Sequence, residues 1–258
     1  MTIGAKNRVF TDSTDSDALS KIIGDNGVAA DVSSTSNQFP QIVQYYATDW
    51  DFTMARAETN GMIIVNTDNK VSVKVPGQGA SVGKFTFGQE IVEMNLNMDA
   101  SNQLGAVEAL AWDYKSQATV DSSSSDPSVP DQGNISGKKL SEVTAPATFQ
   151  LQSTTPLSSE DLKTWADARL LKSRLAKIRG TLKLFGQADF EPDSLVELAG
   201  LGSRFDGTAY VGAVEHHISA GNWWSTLEIG LNPNWYAKAH DITATSAAAL
   251  LPGIRGLQ

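Results

Sequence analysis

The feature that most constrains this chain is a two-residue alternation of apolar and polar side chains in two separated regions. In EIVEMNLNMD, Val92, Met94, Leu96 and Met98 alternate with Glu93, Asn95, Asn97 and Asp99. A period of two places such sets on opposite faces of a strand, so this segment predicts a long half-buried strand with those four apolar residues inward. The pattern returns at KIRGTLKLFG, where Ile178, Gly180, Leu182 and Leu184 oppose Arg179, Thr181 and Lys183. Further strands follow at SLVELAG, TAYVGAVEHHIS and WWSTLEIG, with FDG and SAGN as turns between them. Glycines crowd this half of the chain. Antiparallel β-structure with sharp bends, a barrel or tight sandwich, is the expected result.

Two such β regions, 84–112 and 177–230, are separated by a run of different character. Residues 116–137, SQATVDSSSSDPSVPDQGNISG, offer almost nothing to bury and read as a loop or flexible insertion. A helix over 158–176 comes next, with Ser158 as cap, Asp161 three residues on, and Leu162, Trp165, Ala166, Arg169 and Leu170 on one stripe.

The opening region is mixed. DSDALSKIIGDNG predicts a short amphipathic helix through Leu19, Ile22 and Ile23, and QIVQYY predicts a strand. A second helix starts at Thr48, with Asp49 and Asp51 at the positive end of its dipole and Gly61 beyond its end. Trp50 is expected to anchor this helix in the core. MIIVN and KVSVKV, joined by TDN, predict a hairpin in which Val71, Val73 and Val75 alternate with Ser72 and Lys74.

Composition removes several classes of function. A net charge of −9 opposes sequence-independent binding to nucleic acid or to an anionic membrane surface. With no cysteine among 258 residues there is no disulfide, no thiolate nucleophile and no sulfur-based zinc site. The longest apolar runs, MIIV and AAALLP, are too short to cross a bilayer as a helix. Manufacture in a reducing cytoplasm is the natural reading.

Each chemical candidate has a plainer explanation. Asp49 and Asp51 are two apart on a helix and do not face each other, so capping and dipole roles outweigh acid–base or metal chemistry, and Glu58 follows on the same helix. His216 and His217 are adjacent on a strand and point to opposite faces, while His240 lies in a polar tail beside Asp241. GLGSRFDG, residues 200–207, lacks the Gly-Lys-Ser/Thr and helix of a phosphate loop, SGKKL at 136–140 fails that pattern too, and no Gly-x-Ser-x-Gly elbow occurs. Trp223 and Trp224 could offer a stacking platform, but neighbours on a strand face opposite ways, so one is expected in the core and the other at a rim. NIS at 134–136 matches a glycosylation sequon by chance. No catalytic, cofactor-binding or metal-ligating residue is assigned.

The run VQYYATDWDFTMARAETNGMIIV closely resembles the signature of the VgrG and phage late-control family, through Val43, Gln44, Tyr45, Thr48, Asp49, Trp50, Asp51, Phe52, Arg56, Glu58 and Gly61. Glu58 is offset from the usual spacing. A second block from ADARLLKSRL to AVEHHIS is similar to the region completing the family's second tube barrel, with Arg179-Gly180, Leu195 to Gly200 and Phe205 to Val211 at strand, turn and strand. LLPGIRGLQ resembles the junction into the next domain of spike proteins.

The resemblance implies a structural, non-enzymatic baseplate hub of a contractile injection system. Three chains would form a symmetry adapter between a sixfold tail tube and a threefold membrane-puncturing spike. Relatives of this type carry an earlier tube barrel and a later OB-fold and spike, so the chain reads as a fragment without them. The expected fold is mainly β with an α+β subdomain, a hub-like tube β-barrel bearing a helical and loop insertion. Its expected divisions are a small α+β domain at 1–80, a barrel at 84–113 plus 177–232, an insertion at 114–176 and a linker at 233–258. The implied partners are the homotrimer, tail-tube or inner-tube proteins, baseplate wedge proteins and a spike tip or effector cargo. Neither nucleic acid nor direct membrane contact is expected, and the product would leave the cytoplasm only within a released or secreted particle. Type VI secretion, an extracellular particle and a phage remain open as the class of machine. The rival readings are a β-barrel module binding carbohydrate or protein, and a hydrolase with dispersed residues.

Overall fold

The computed structural model describes residues 1–130, 132–144 and 146–240. The chain is mainly β, with one curled sheet and a few helices, as its alternation predicts. It divides into two compact units, Met1–Val75 with the segment from Asn234, and Pro76–Pro233.

The first unit begins with a strand that the polar run KNRVFTDST did not announce, β1 at Lys6–Thr14. Helix α1 follows at Asp15–Asp25, closed at its start by a reciprocal capping box between Thr14 and Asp17. Strands β2 (Ala29–Val32) and β3 (Gln38–Ala47) lead to helix α2 (Asp49–Thr59), and β4 (Ile63–Thr67) and β5 (Lys70–Lys74) complete the predicted hairpin. Asp68 and Asn69 both have positive φ, 50° and 61°, the geometry that lets a two-residue turn match the twist of its strands. β1 pairs antiparallel with β3, while β5 lies between β2 and β4. The predicted face of α1 is buried through Leu19, Ile22 and Ile23. Leu19 and Ile23 pack with Ala57, Met62, Val71 and Val73, and Ile22 with Phe10, Ile42 and Phe52. Trp50 is only half-buried and joins neither cluster. Phe52, 8% exposed and 6.3 Å from Phe10 ring to ring, is the aromatic that anchors α2.

In the second unit, β6 (Ser81–Thr86) and β7 (Ile91–Met98) are followed by β8 (Ala106–Asp113), β9 (Ala118–Ser123), α3 (Gly137–Thr144), β10 (Thr148–Ser153) and α4 (Ser159–Leu175). Then come β11 (Ile178–Phe185), β12 (Leu195–Ala199), β13 (Gly207–Ser219) and β14 (Asn222–Ile229). Six strands form one sheet in the order β6-β12-β13-β14-β11-β7. Its two edge strands are consecutive in sequence, joined through residues 87–90, and Phe87 bridges to Ile91. The sheet therefore curls until its edges meet at that end. Phe85, Leu96, Ile178, Leu182, Leu184, Val196, Leu198, Leu227 and Ile229 fill the interior.

Gly180 lets β11 lie this close against β7. A Cβ there would lie 1.9 Å from the carbonyl oxygen of Asn95, and its φ of 145° suits glycine alone.

Two expectations about these strands are corrected. Val92 does not share the inward face with Leu96, because a bulge between Lys183 and Leu184 shifts the phase and Ile91 pairs with Leu184 instead. Ile91 is 1% exposed and Val92 42%. Strand 106–113, expected in the barrel, pairs with β9 and β10 in a separate three-stranded sheet. Its alternate residues Val107, Ala109 and Ala111 pack under Leu162, Ala166 and Leu170 of α4, which begins at the predicted Ser158 cap.

The serine-rich run is not a free loop. Residues 118–123 form β9, and the chain beyond them is fastened in place. The amide of Ser125 donates to Asp167 at 2.6 Å, Arg174 donates to Asp126, Gln132 Nε2 donates to the Phe205 carbonyl at 2.6 Å, and the Gly133 amide donates to Asp206. Low hydrophobicity hid this order, since the segment is held by polar contacts to neighbours remote in sequence.

Candidate functional site

The signature run folds as the end of β3, a tight N-cap and α2. Thr48 Oγ1 accepts the Asp51 amide at 3.0 Å, which is the predicted helix start. The acids then separate by role, and none faces a shared reacting position.

Asp49 is fully buried. Its Oδ2 accepts from Lys6 Nζ at 2.6 Å and Asn26 Nδ2 at 2.9 Å, its Oδ1 accepts from Gln44 Nε2 at 3.0 Å, and Arg8 stands 3.6 Å away. Burial pushes this carboxyl up, but the hydrogen bonds from Asn26, Lys6 and Gln44 with the charge of Arg8 outweigh it and hold the pKa at about 2. Asp49 thus joins β1, the end of α1, β3 and the start of α2. Nothing in its sequence context distinguishes it from a surface dipole partner.

Arg56, at the far end of α2, makes a two-pronged bond to Asp15, Nε to Oδ1 at 2.6 Å and NH2 to Oδ2 at 2.7 Å. Asn60 donates to the same carboxylate at 2.8 Å. Asp51 and Glu58 occupy the opposite, outer face. Glu58 Oε2 accepts the Tyr236 amide at 2.7 Å and Asp51 Oδ1 accepts the Tyr236 hydroxyl at 2.9 Å. Burial, then Asp51, raises the Tyr236 phenol above its ordinary pKa, partly offset by a hydrogen bond from the Trp50 side chain. Tyr236 is the partner that sequence reasoning missed; it lies 178 residues from Glu58, and no local signal marks it.

The other candidates are spread over the second unit and the end of the described chain. His216 Nδ1 lies 2.8 Å from Ser225 Oγ, but Ser225 is fully buried and its oxygen also accepts the Gln187 amide. His217 sits opposite Trp224 in the register, and His240 stacks on Tyr236 at 4.0 Å. Among the described residues no group of three or more His, Asp or Glu could hold a metal. Residues 200–206 form the connection between β12 and β13 and Gly207 opens β13; Gly200, Gly202 and Gly207 take positive φ and Asp206 accepts the Leu201 amide.

Neither tryptophan of the pair enters the core, contrary to the expectation for one of them. Trp223 is 39% exposed and its ring lies so close over Gly186 that a Cβ there would come within 2.1 Å of it. Trp224 stacks on Phe185 at 5.1 Å, with Lys183 Nζ 5.2 Å from its ring centroid. Each indole already has a covered face. Exposed Phe185 and Ile218 extend this apolar rim at one end of the curled sheet.

The model of the Alg8 N-terminal domain family matches residues 1–220. The chain belongs to that family. No curated protein matches the chain in sequence. Its fold is that of phage tail proteins. The tail protein from Neisseria meningitidis MC58 is similar at a TM-score of 0.63 and 16% identity, over 92% of this chain and 72% of that one. The 43 kDa tail protein of prophage MuSo2 from Shewanella oneidensis is similar at 0.61 and 10% identity, over 87% of this chain and 67% of that one. The run from Val43 to Gly61 thus lies within a tail-protein fold, with Asp49, Asp51 and Glu58 each bound to groups of their own unit.

Proposed function

We propose that this chain is a structural, non-enzymatic hub component of a contractile, phage-tail-like injection apparatus. The observation that carries the reading is the likeness in fold to the two tail proteins across about nine-tenths of the chain. The allocation of the signature residues supports it: Asp49, Arg56, Asp51 and Glu58 all serve contacts within their own unit. A hub transmits force and symmetry, so the buried carboxylate joints at Asp49 and at Asp15, the partner of Arg56, suit it better than a poised acid or base.

On this reading the chain is VgrG-like and works as a trimer between a sixfold tube and a threefold spike. Met1–Val75 form most of its small α+β domain, expected at 1–80. Residues 84–98 and 177–232 supply the tube-type barrel, with 106–113 moved into the inserted subdomain that continues to 176. The expected linker at 233–258 lies, beyond His240, outside the described residues. Its partners are further copies of itself, tube proteins, baseplate wedge proteins and the spike tip or cargo. It is made in the cytoplasm and leaves within the particle.

Gold labelling of an epitope-tagged copy in purified particles tests this placement. A single label on the particle axis, at the end of the tube, is the expected result. Labels along the sheath, or none on intact particles, would overturn it.

A further inference from the structure

We propose that residues 236–240 form a releasable strap, held to the outer face of α2 by polar contacts that can open without disturbing the core beneath. The proposal goes beyond the hub reading and does not depend on it. Asp51 and Glu58 are seven residues apart on a helix, so they share one face, while Phe52, Thr53 and Ala57 are buried on the other. Tyr236 spans the two acids, its amide bound to Glu58 and its hydroxyl to Asp51.

Tyr236 and Ala237 are half-buried and Lys238 and Ala239 exposed. None of the residues in this helical turn, Tyr236–Ala239, is fully buried. The turn also bonds within itself, since the Ala239 and His240 amides donate to the carbonyls of Trp235 and Tyr236, and the His240 ring stacks on Tyr236. A lone turn of this length does not persist in water, so release from α2 opens its own hydrogen bonds as well. Attachment by hydrogen bonds with no fully buried side chain places a segment at the low end of local opening free energy. The two acids on the outer face of the helix thereby acquire a role: they set how firmly residues 236–240 are tethered to α2.

Amide hydrogen exchange on the full chain tests this, comparing wild type with Glu58→Ala, Tyr236→Phe and the double variant. The double variant is expected to raise exchange at residues 237–240 roughly tenfold or more, the loss of two hydrogen bonds. Exchange at core amides such as Ile22 and Ala57, and the melting temperature, are expected to stay at wild-type values. Unchanged exchange at 237–240 would show that these contacts do not hold the strap. A rise that spreads to the Ile22 and Ala57 amides would show that the segment belongs to the core and is not releasable. Either result overturns the proposal.

Discussion

Arg56 grips Asp15 through two parallel hydrogen bonds of 2.6 and 2.7 Å, fixing the end of one helix to the start of another. Asp15 is almost fully buried, whereas 27% of the Arg56 side chain meets solvent. Removing the guanidinium leaves a buried carboxylate with only Asn60 donating to it. Arg56→Ala is therefore expected to cost about 2–3 kcal/mol, below the fully buried case because of that exposure. Arg56→Lys should recover little, since an ammonium cannot reproduce the fork. Urea unfolding of the three proteins checks both statements.

The two aromatics of α2 should separate cleanly. Phe52→Ala is expected to cost about 3–4 kcal/mol, because the cavity opens between Phe10, Ile22 and Ile42. Trp50→Ala should cost about half as much, for a ring only half-buried. Equal losses in chemical denaturation would contradict the assignment of Phe52 as the anchor.

Asp49 predicts a specific acid limb. Its folded pKa of about 2 lies below the ordinary aspartate value of 3.8, so it stabilises the fold fully above the unfolded pKa. That contribution declines as pH falls through the interval between the two values. Asp49→Asn should be less stable at neutral pH and show a flatter loss of stability between about pH 5 and pH 2. Unfolding free energies measured across that range decide it; parallel curves for the two proteins would show that Asp49 is not the titrating group.

Legibility in the sequence followed the range of the interactions. Thr48 and Ser158 announced their helices because a cap acts over three residues. Ile178, Leu182 and Leu184 announced an inward face because alternation is local as well. The bulge that displaces Val92 was invisible, since it arises from pairing with a strand about ninety residues away. Strand β8 looks from its own pattern like any half-buried strand, and only its partners β9 and β10 place it outside the curled sheet. Asp49 was read as a dipole partner because Lys6, Asn26 and Gln44 converge on it only after folding. Tyr236 carried no local mark at all.

Gly180 and Gly24 offer opposite outcomes from the same substitution. Gly180→Ala forces a methyl against the Asn95 carbonyl at a φ closed to alanine, and should cost about 3 kcal/mol or more. Gly24 has open space around it and lies within α1, so Gly24→Ala should stabilise by up to about 1 kcal/mol. Melting temperatures of both variants check the pair.

The central claim is that this protein is a part of a tail-like particle. Its most direct test is sedimentation of a lysate from producing cells, followed by immunodetection with antibody to this chain. The account predicts that the reactive polypeptide sediments with sheathed, tail-like particles. A reactive polypeptide found only in the light soluble fraction, in cells where such particles are demonstrably assembled, would contradict it.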